Sequence, residues 1–143
     1  AIADRGAVFV SRGDDSGTHK MELSLWRAAG RDPQGQGWYI ETGQGMGNTL
    51  RIAAGRSGYT LTDRGTYLAF KELLGDMPVL VEGDEVLLNI YHVMQVNPAL
   101  SDLINAEGAE AFVEFMVSQE VLDIIRTFGV DRFGEPLFFP YPD

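Results

Sequence analysis

Phe9-Val10-Ser11-Arg12-Gly13-Asp14-Asp15-Ser16-Gly17-Thr18-His19-Lys20 decides how the rest of this chain is read. The apolar run Ala7-Val8-Phe9-Val10 leads into it as a buried strand, and a helical pattern starts near His19. At the handover stand an arginine, two carboxylates, two glycines and three hydroxyls. The first turn of a helix has amides without intrahelical partners, and the macrodipole adds about half a positive charge there. Ser16 suits the N-cap, Gly17 lets backbone approach a ligand, and Thr18 adds a hydroxyl donor. Arg12 brings a planar fork of donors matched to an oxyanion. Together these residues make an anion cradle. The plainer reading of the same residues is an ordinary N-cap, with Arg12 paired to Asp14 on the surface.

At 143 residues the chain has one domain's length, enough to bury roughly two thirds of its unfolded surface. It is 45% hydrophobic and 22% charged, ordinary for a globular protein. No apolar stretch approaches a membrane span, and no signal segment is expected within it. The chain opens on Ala1 rather than Met, which reads as a processed or trimmed piece. It has no cysteine, so disulfides and thiolate metal sites are excluded. A net charge of −10 argues against nucleic acid and anionic membranes as partners. Anion capture must then rest on oriented local donors, since distant surface charge is screened beyond about 8 Å at physiological salt.

Downstream, Met21, Leu25 and Ala28 recur at helical spacing up to Gly30, and residues 38–40 read as a short strand. Glu41-Thr42-Gly43-Gln44-Gly45-Met46-Gly47-Asn48 is a second glycine-rich passage from strand to helix. Its glycines fall as G-x-G-x-G, with Asn48 where a dinucleotide fingerprint needs its third glycine. Thr42 and the backbone at Gly45 and Met46 offer donors for a second wall of an oxyanion cleft. Tight turning by glycine is the alternative. A helix over 49–54, a strand over 58–62 and a helix capped by Asp63 follow. Residues 78–81 and 86–96 read as strands, with His92 as a core residue of the second. Residues 82–85 make an acidic turn without EF-hand spacing. Helical patterns cover 100–104, 109–116 and 121–125, Gly129 stops them, and 133–143 form an extended aromatic tail. Alternating strands and helices imply an α/β sheet layered between helices, with ligands beyond the carboxyl ends of the strands.

Arg12-x-Asp14-x-Ser16-Gly17-Thr18 resembles the oxyanion loop of type II periplasmic binding proteins for phosphate, molybdate and tungstate. The fuller wording from Phe9 to Lys20 is similar to the tungstate-binding component of ABC importers. Trp38-Tyr39-Ile40-Glu41-Thr42-Gly43-Gln44-Gly45-Met46-Gly47, Tyr59-Thr60-Leu61-Thr62-Asp63-Arg64-Gly65-Thr66-Tyr67, Phe128-Gly129-Val130-Asp131 and Gly134-Glu135-Pro136-Leu137-Phe138 match the same family in order. The resemblance implies one lobe of a clamshell: residues 1–143 as the second lobe and C-terminal helices, with the N-terminal lobe missing. It implies Arg12, Ser16, Gly17 and Thr18 as the oxyanion-binding residues, and it allows Asp63 to line the cleft. It also implies an ABC permease partner, no cofactor and no bound metal other than tungsten or molybdenum as oxyanion. The expected location is the periplasmic or extracellular face of a bacterial or archaeal cell, with a lipid anchor as one means of retention.

Tungstate and molybdate are unprotonated near neutral pH and want donors only, whereas hydrogen phosphate rewards an acceptor. Asp14 or Asp15 is a candidate acceptor. Asp14 is equally a partner that holds Arg12, since buried charges need pairing. Phosphate or sulfate binding by the same loop is the alternative, as is a ligand-sensing lobe of a regulator or receptor. An enzyme would need Arg12 to clamp a substrate beside His92 or Asp63 as base, and nothing in the sequence places a nucleophile near either.

Overall fold

β1, Phe9–Ser11, is buried along its whole length. It organises the first of two compact units, Ala1–Leu88, and the second runs from Asn89 onward. The computed structural model describes residues 1–141, and its first unit is a small parallel sheet flanked by helices. β2, Tyr39–Glu41, pairs with β1 in parallel, Phe9 opposite Tyr39 and Ser11 opposite Glu41. Parallel neighbours need a crossover, and α1, Gly17–Ala28, supplies it.

The strand expected over 58–62 is reduced to a bridge between Tyr59 and Phe9. The Tyr59 amide donates to the Val8 carbonyl and the Val10 amide to the Tyr59 carbonyl, both at 2.8 Å. The Thr60 hydroxyl then donates to the Val10 carbonyl at 2.7 Å. A side chain has taken the acceptor that a longer ladder would use, so pairing stops there.

α2, Met46–Gly55, and α3, Arg64–Phe70, complete the layer. Met46, Leu50 and Leu74 form the buried core, with Tyr67, Phe70 and Met77 packed against it. Phe9 of β1 meets Trp26 of α1 edge-on at 5.1 Å. The carboxylate of buried Glu22 accepts from the Tyr39 hydroxyl at 2.7 Å and from Trp26 Nε1 at 3.1 Å. Burial pushes the Tyr39 phenol up, out of reach of physiological pH. These bonds fix α1 to the sheet.

Residues 78–81 and 86–96 are not strands. No ladder forms along them among the described residues, and Leu80, Val81, Tyr91 and Met94 are all largely exposed. β-branched and aromatic composition describes a surface fit for pairing, and it makes no strand without a neighbour. His92 is exposed rather than a core residue.

In the second unit, α4, Ala106–Met116, and α5, Gln119–Thr127, begin at side-chain caps from Asn105 and Ser118. The helix expected over 100–104 is replaced by a single 3-10 turn at Pro98–Leu100, where Pro98 supplies the first position. Gly129, at φ 97°, starts the short α6, Val130–Phe133. A side chain at Gly129 would collide with Leu137, whose amide donates to the Phe128 carbonyl at 2.9 Å. Phe138 in the aromatic tail stacks edge-on with Tyr91 at 6.1 Å. Pro142 and Asp143, the end of that expected tail, lie outside the described residues. Among the described residues no helix is long and apolar enough to cross a membrane.

Candidate functional site

The loops after β1 and β2 both leave the carboxyl edge of the sheet. Backbone bonds join them: the Thr42 amide donates to the Ser11 carbonyl at 3.0 Å and the Gly43 amide to the Arg12 carbonyl at 2.8 Å. The Thr42 hydroxyl donates to the same Arg12 carbonyl at 3.2 Å and shares a 2.9 Å hydrogen bond with the buried Thr49 hydroxyl. The two glycine-rich passages are therefore adjoining walls of one edge.

On the first wall, Arg12 Nε and Nη2 both donate to Asp14 Oδ2, at 3.0 and 2.5 Å. Both side chains are four-fifths buried. The other carboxylate oxygen, Asp14 Oδ1, accepts the Ser16 amide at 3.2 Å. The bond to Ser16, with Arg12 added, holds the Asp14 carboxyl at about 2, below the ordinary 3.8, against desolvation that pulls it up. Asp14 is thus an ionised tether whose oxygens both face inward to the loop. Arg12 Nη1 has no hydrogen-bond partner among the described residues.

Ser16 is the N-cap of α1, and its hydroxyl accepts the His19 amide at 3.3 Å. The cap engages the third helical residue, so the amides of Gly17 and Thr18 keep no acceptor among the described residues. Arg12, Ser16, Gly17 and Thr18 therefore stand together at one helix start.

Along the second wall, Gly45 is the N-cap of α2 and has no side-chain cap hydrogen bond. The Met46 side chain is buried in the core, so only its backbone faces the edge. Asp63 caps α3, accepting the Thr66 amide at 2.7 Å and the Thr66 hydroxyl at 2.8 Å. Both of its oxygens are thereby engaged.

The depressed Asp14 group gives a pH prediction. A carboxylate whose folded pKa lies below its unfolded value adds stability that is complete above the unfolded pKa and fades as pH falls through the folded one. The stability margin of the wild type over Asp14→Asn should therefore hold steady above pH 3.8 and shrink from there to about 2. Thermal melts across that acid range measure it, and a margin that widens on acidification contradicts the tether.

Residues 1–120 match a family model described as a PBP superfamily domain. The chain belongs to the PBP superfamily. Within that superfamily it is 46% identical over 139 residues to the tungstate-binding protein TupA of Peptoclostridium acidaminophilum, covering 97% of this chain and 48% of that one. Tungstate-binding protein TupA from Desulfovibrio alaskensis G20 is a structural neighbour at TM-score 0.76 and 43% identity, covering 99% of this chain and 58% of that one. A tungstate ABC transporter structure from Geobacter sulfurreducens gives TM-score 0.74 at 46% identity, covering 89% and 53% respectively. The chain spans about half the length of the curated relatives it matches.

Two participants in this PBP-superfamily edge escaped the sequence reading. Glu41, at the end of β2, packs against Gly13, and its carboxylate lies 3.7 Å from His19 Nε2. Neither contact has a local sequence signal, because both depend on the β1–β2 register.

Proposed function

We propose that this chain is the second lobe, with C-terminal helices, of a two-lobed solute-binding protein. That protein captures an oxyanion, tungstate or molybdate first, and delivers it to an ABC permease. The observation that carries this reading is the set of open donors at the start of α1: the Gly17 and Thr18 amides beside Arg12, itself held by Asp14. Charge-assisted donors of this kind suit a small dianion. Relatives that bear the name tungstate-binding protein TupA support the same ligand.

The chemistry favours an unprotonated ligand. Asp14 is ionised and already accepts from Arg12 and Ser16, so it has little to offer a phosphate proton. Asp15 is exposed and pairs loosely with Lys20 at 3.5 Å. No catalytic step is assigned to the edge; the Gly45 and Met46 amides contribute to its second wall as hydrogen-bond donors, whereas both donors of Thr42, expected there from the sequence, are spent on the Ser11 and Arg12 carbonyls. The missing N-terminal lobe supplies the remaining donors and excludes water, which strengthens every electrostatic contact to the anion. It also accounts for the apolar exposure of residues 79–96, too extensive for an uncovered surface. The place of such a protein is the periplasmic or extracellular face of the cell, where a lipid anchor would retain it.

Isothermal titration of the two-lobed protein with tungstate, molybdate, sulfate and phosphate tests the reading. Tungstate and molybdate should bind more tightly than phosphate. Absence of heat with all four anions removes the proposal.

A further inference from the structure

His19 sits on the first turn of α1 with its side chain nine-tenths buried. Its backbone amide donates to the Ser16 hydroxyl, while its ring reaches back over the turn, where Nδ1 accepts the Asp15 amide at 3.0 Å. The arrangement is a reciprocal cap: the N-cap side chain takes the third residue's amide, and the third residue's side chain returns the bond. In the common version a Glu or Gln takes the N-cap amide itself. Here Asp14 Oδ1 already holds the Ser16 amide, and the imidazole takes the amide one residue earlier.

The target of that bond is strained. Asp15 has φ 59°, one of two non-glycine residues in the left-handed region among those described. A residue in that region persists only where its surroundings hold it. The turn it makes sets the direction in which Ser16, Gly17 and Thr18 enter the helix.

The hydrogen bond also fixes the ring's proton. A nitrogen that accepts carries no hydrogen, so a neutral imidazole here is protonated at Nε2. That atom is buried without a hydrogen-bond partner and faces the Glu41 carboxylate at 3.7 Å. Lys20 and Asp15 pair outside the ring, and the Arg12–Asp14 pair lies on the preceding loop.

We propose that His19, as the neutral Nε2-protonated imidazole, is a positioning residue. It clamps the Asp15 turn so that the Gly17 and Thr18 amides stay open and aimed at the anion, and its Nε2 edge sets α1 against the end of β2. The inference deepens the oxyanion reading and rests on it for its effect on binding. The clamp itself has a separate readout.

Asn places an oxygen where Nδ1 stands, whereas Gln extends beyond it and Ala has nothing there. In the full-length protein, His19→Asn should bind tungstate within about three-fold of the wild type, and His19→Ala and His19→Gln about ten-fold more weakly, as loss of a hydrogen bond implies. Nitrogen NMR of histidine-labelled wild type near neutral pH should show Nδ1 unprotonated, with the Asp15 amide protected from exchange. A ring protonated at Nδ1, or an Asn variant as weak as the Ala variant, overturns the proposal. If His19→Ala does not fold, the wild-type ring state and the Asn variant decide it. Suppose instead that the wild type binds none of the four anions, yet the ring state and the Asp15 protection are as stated. The clamp then stands and the oxyanion reading falls.

Discussion

Arg12→Ala should weaken tungstate binding by the two-lobed protein by more than about 2 kcal/mol, roughly thirty-fold. Two losses add. The first is a charge-assisted donor to a dianion from which water is excluded. The second comes from Asp14, whose carboxylate is held ionised with Arg12 Nε and Nη2 on one of its oxygens. Without the guanidinium, that negative charge would face the incoming anion with only Ser16 to balance it. The double variant Arg12→Ala, Asp14→Ala should therefore recover part of the affinity. Titration calorimetry of the two variants reads both effects. An affinity unchanged in Arg12→Ala would mean that the guanidinium does not reach the ligand.

Gly13→Ala is expected to cost about 3 kcal/mol of folding stability, combining roughly 1 kcal/mol for an L-residue in the left-handed region with overpacking. Gly13 has φ 59°, and a Cβ there would lie 2.6 Å from Glu41 Cβ and 3.2 Å from Glu41 Cα. The closest neighbours are the root of a side chain and strand backbone, neither of which swings aside. Gly17→Ala is the control, because a Cβ at Gly17 meets nothing and its backbone is helical. Urea denaturation of the two variants should separate them widely. Equal midpoints would show that the β1 exit yields easily and that the Gly13–Glu41 contact constrains nothing.

What could be read from sequence was what is local. The N-cap at Ser16, the cap at Asp63 and the α/β alternation around β1 all follow from a few adjacent residues and from period. The pairing of Arg12 with Asp14 spans two residues and was equally accessible. Residues 86–96 show the limit: Val86, Ile90, Val93 and Val96 carry strand propensity, yet a strand is a relation between two segments, and its partner is not among the described residues. The contacts of Glu41 with Gly13 and His19 were hidden for a related reason. They arise only once Ser11 is set opposite Glu41, a register no single stretch encodes.

The three bonds that Ser11 and Arg12 carbonyls receive from Thr42 and Gly43 bear on how a guest would depart. Both glycine-rich passages are sewn to each other through their main chains, with Thr49 as a further stitch beneath them. They must travel as a single plate. In the two-lobed protein proposed above, release of a captured ion would then be a matter of the opposing jaw swinging clear, while this plate keeps its shape and stands ready for the next arrival.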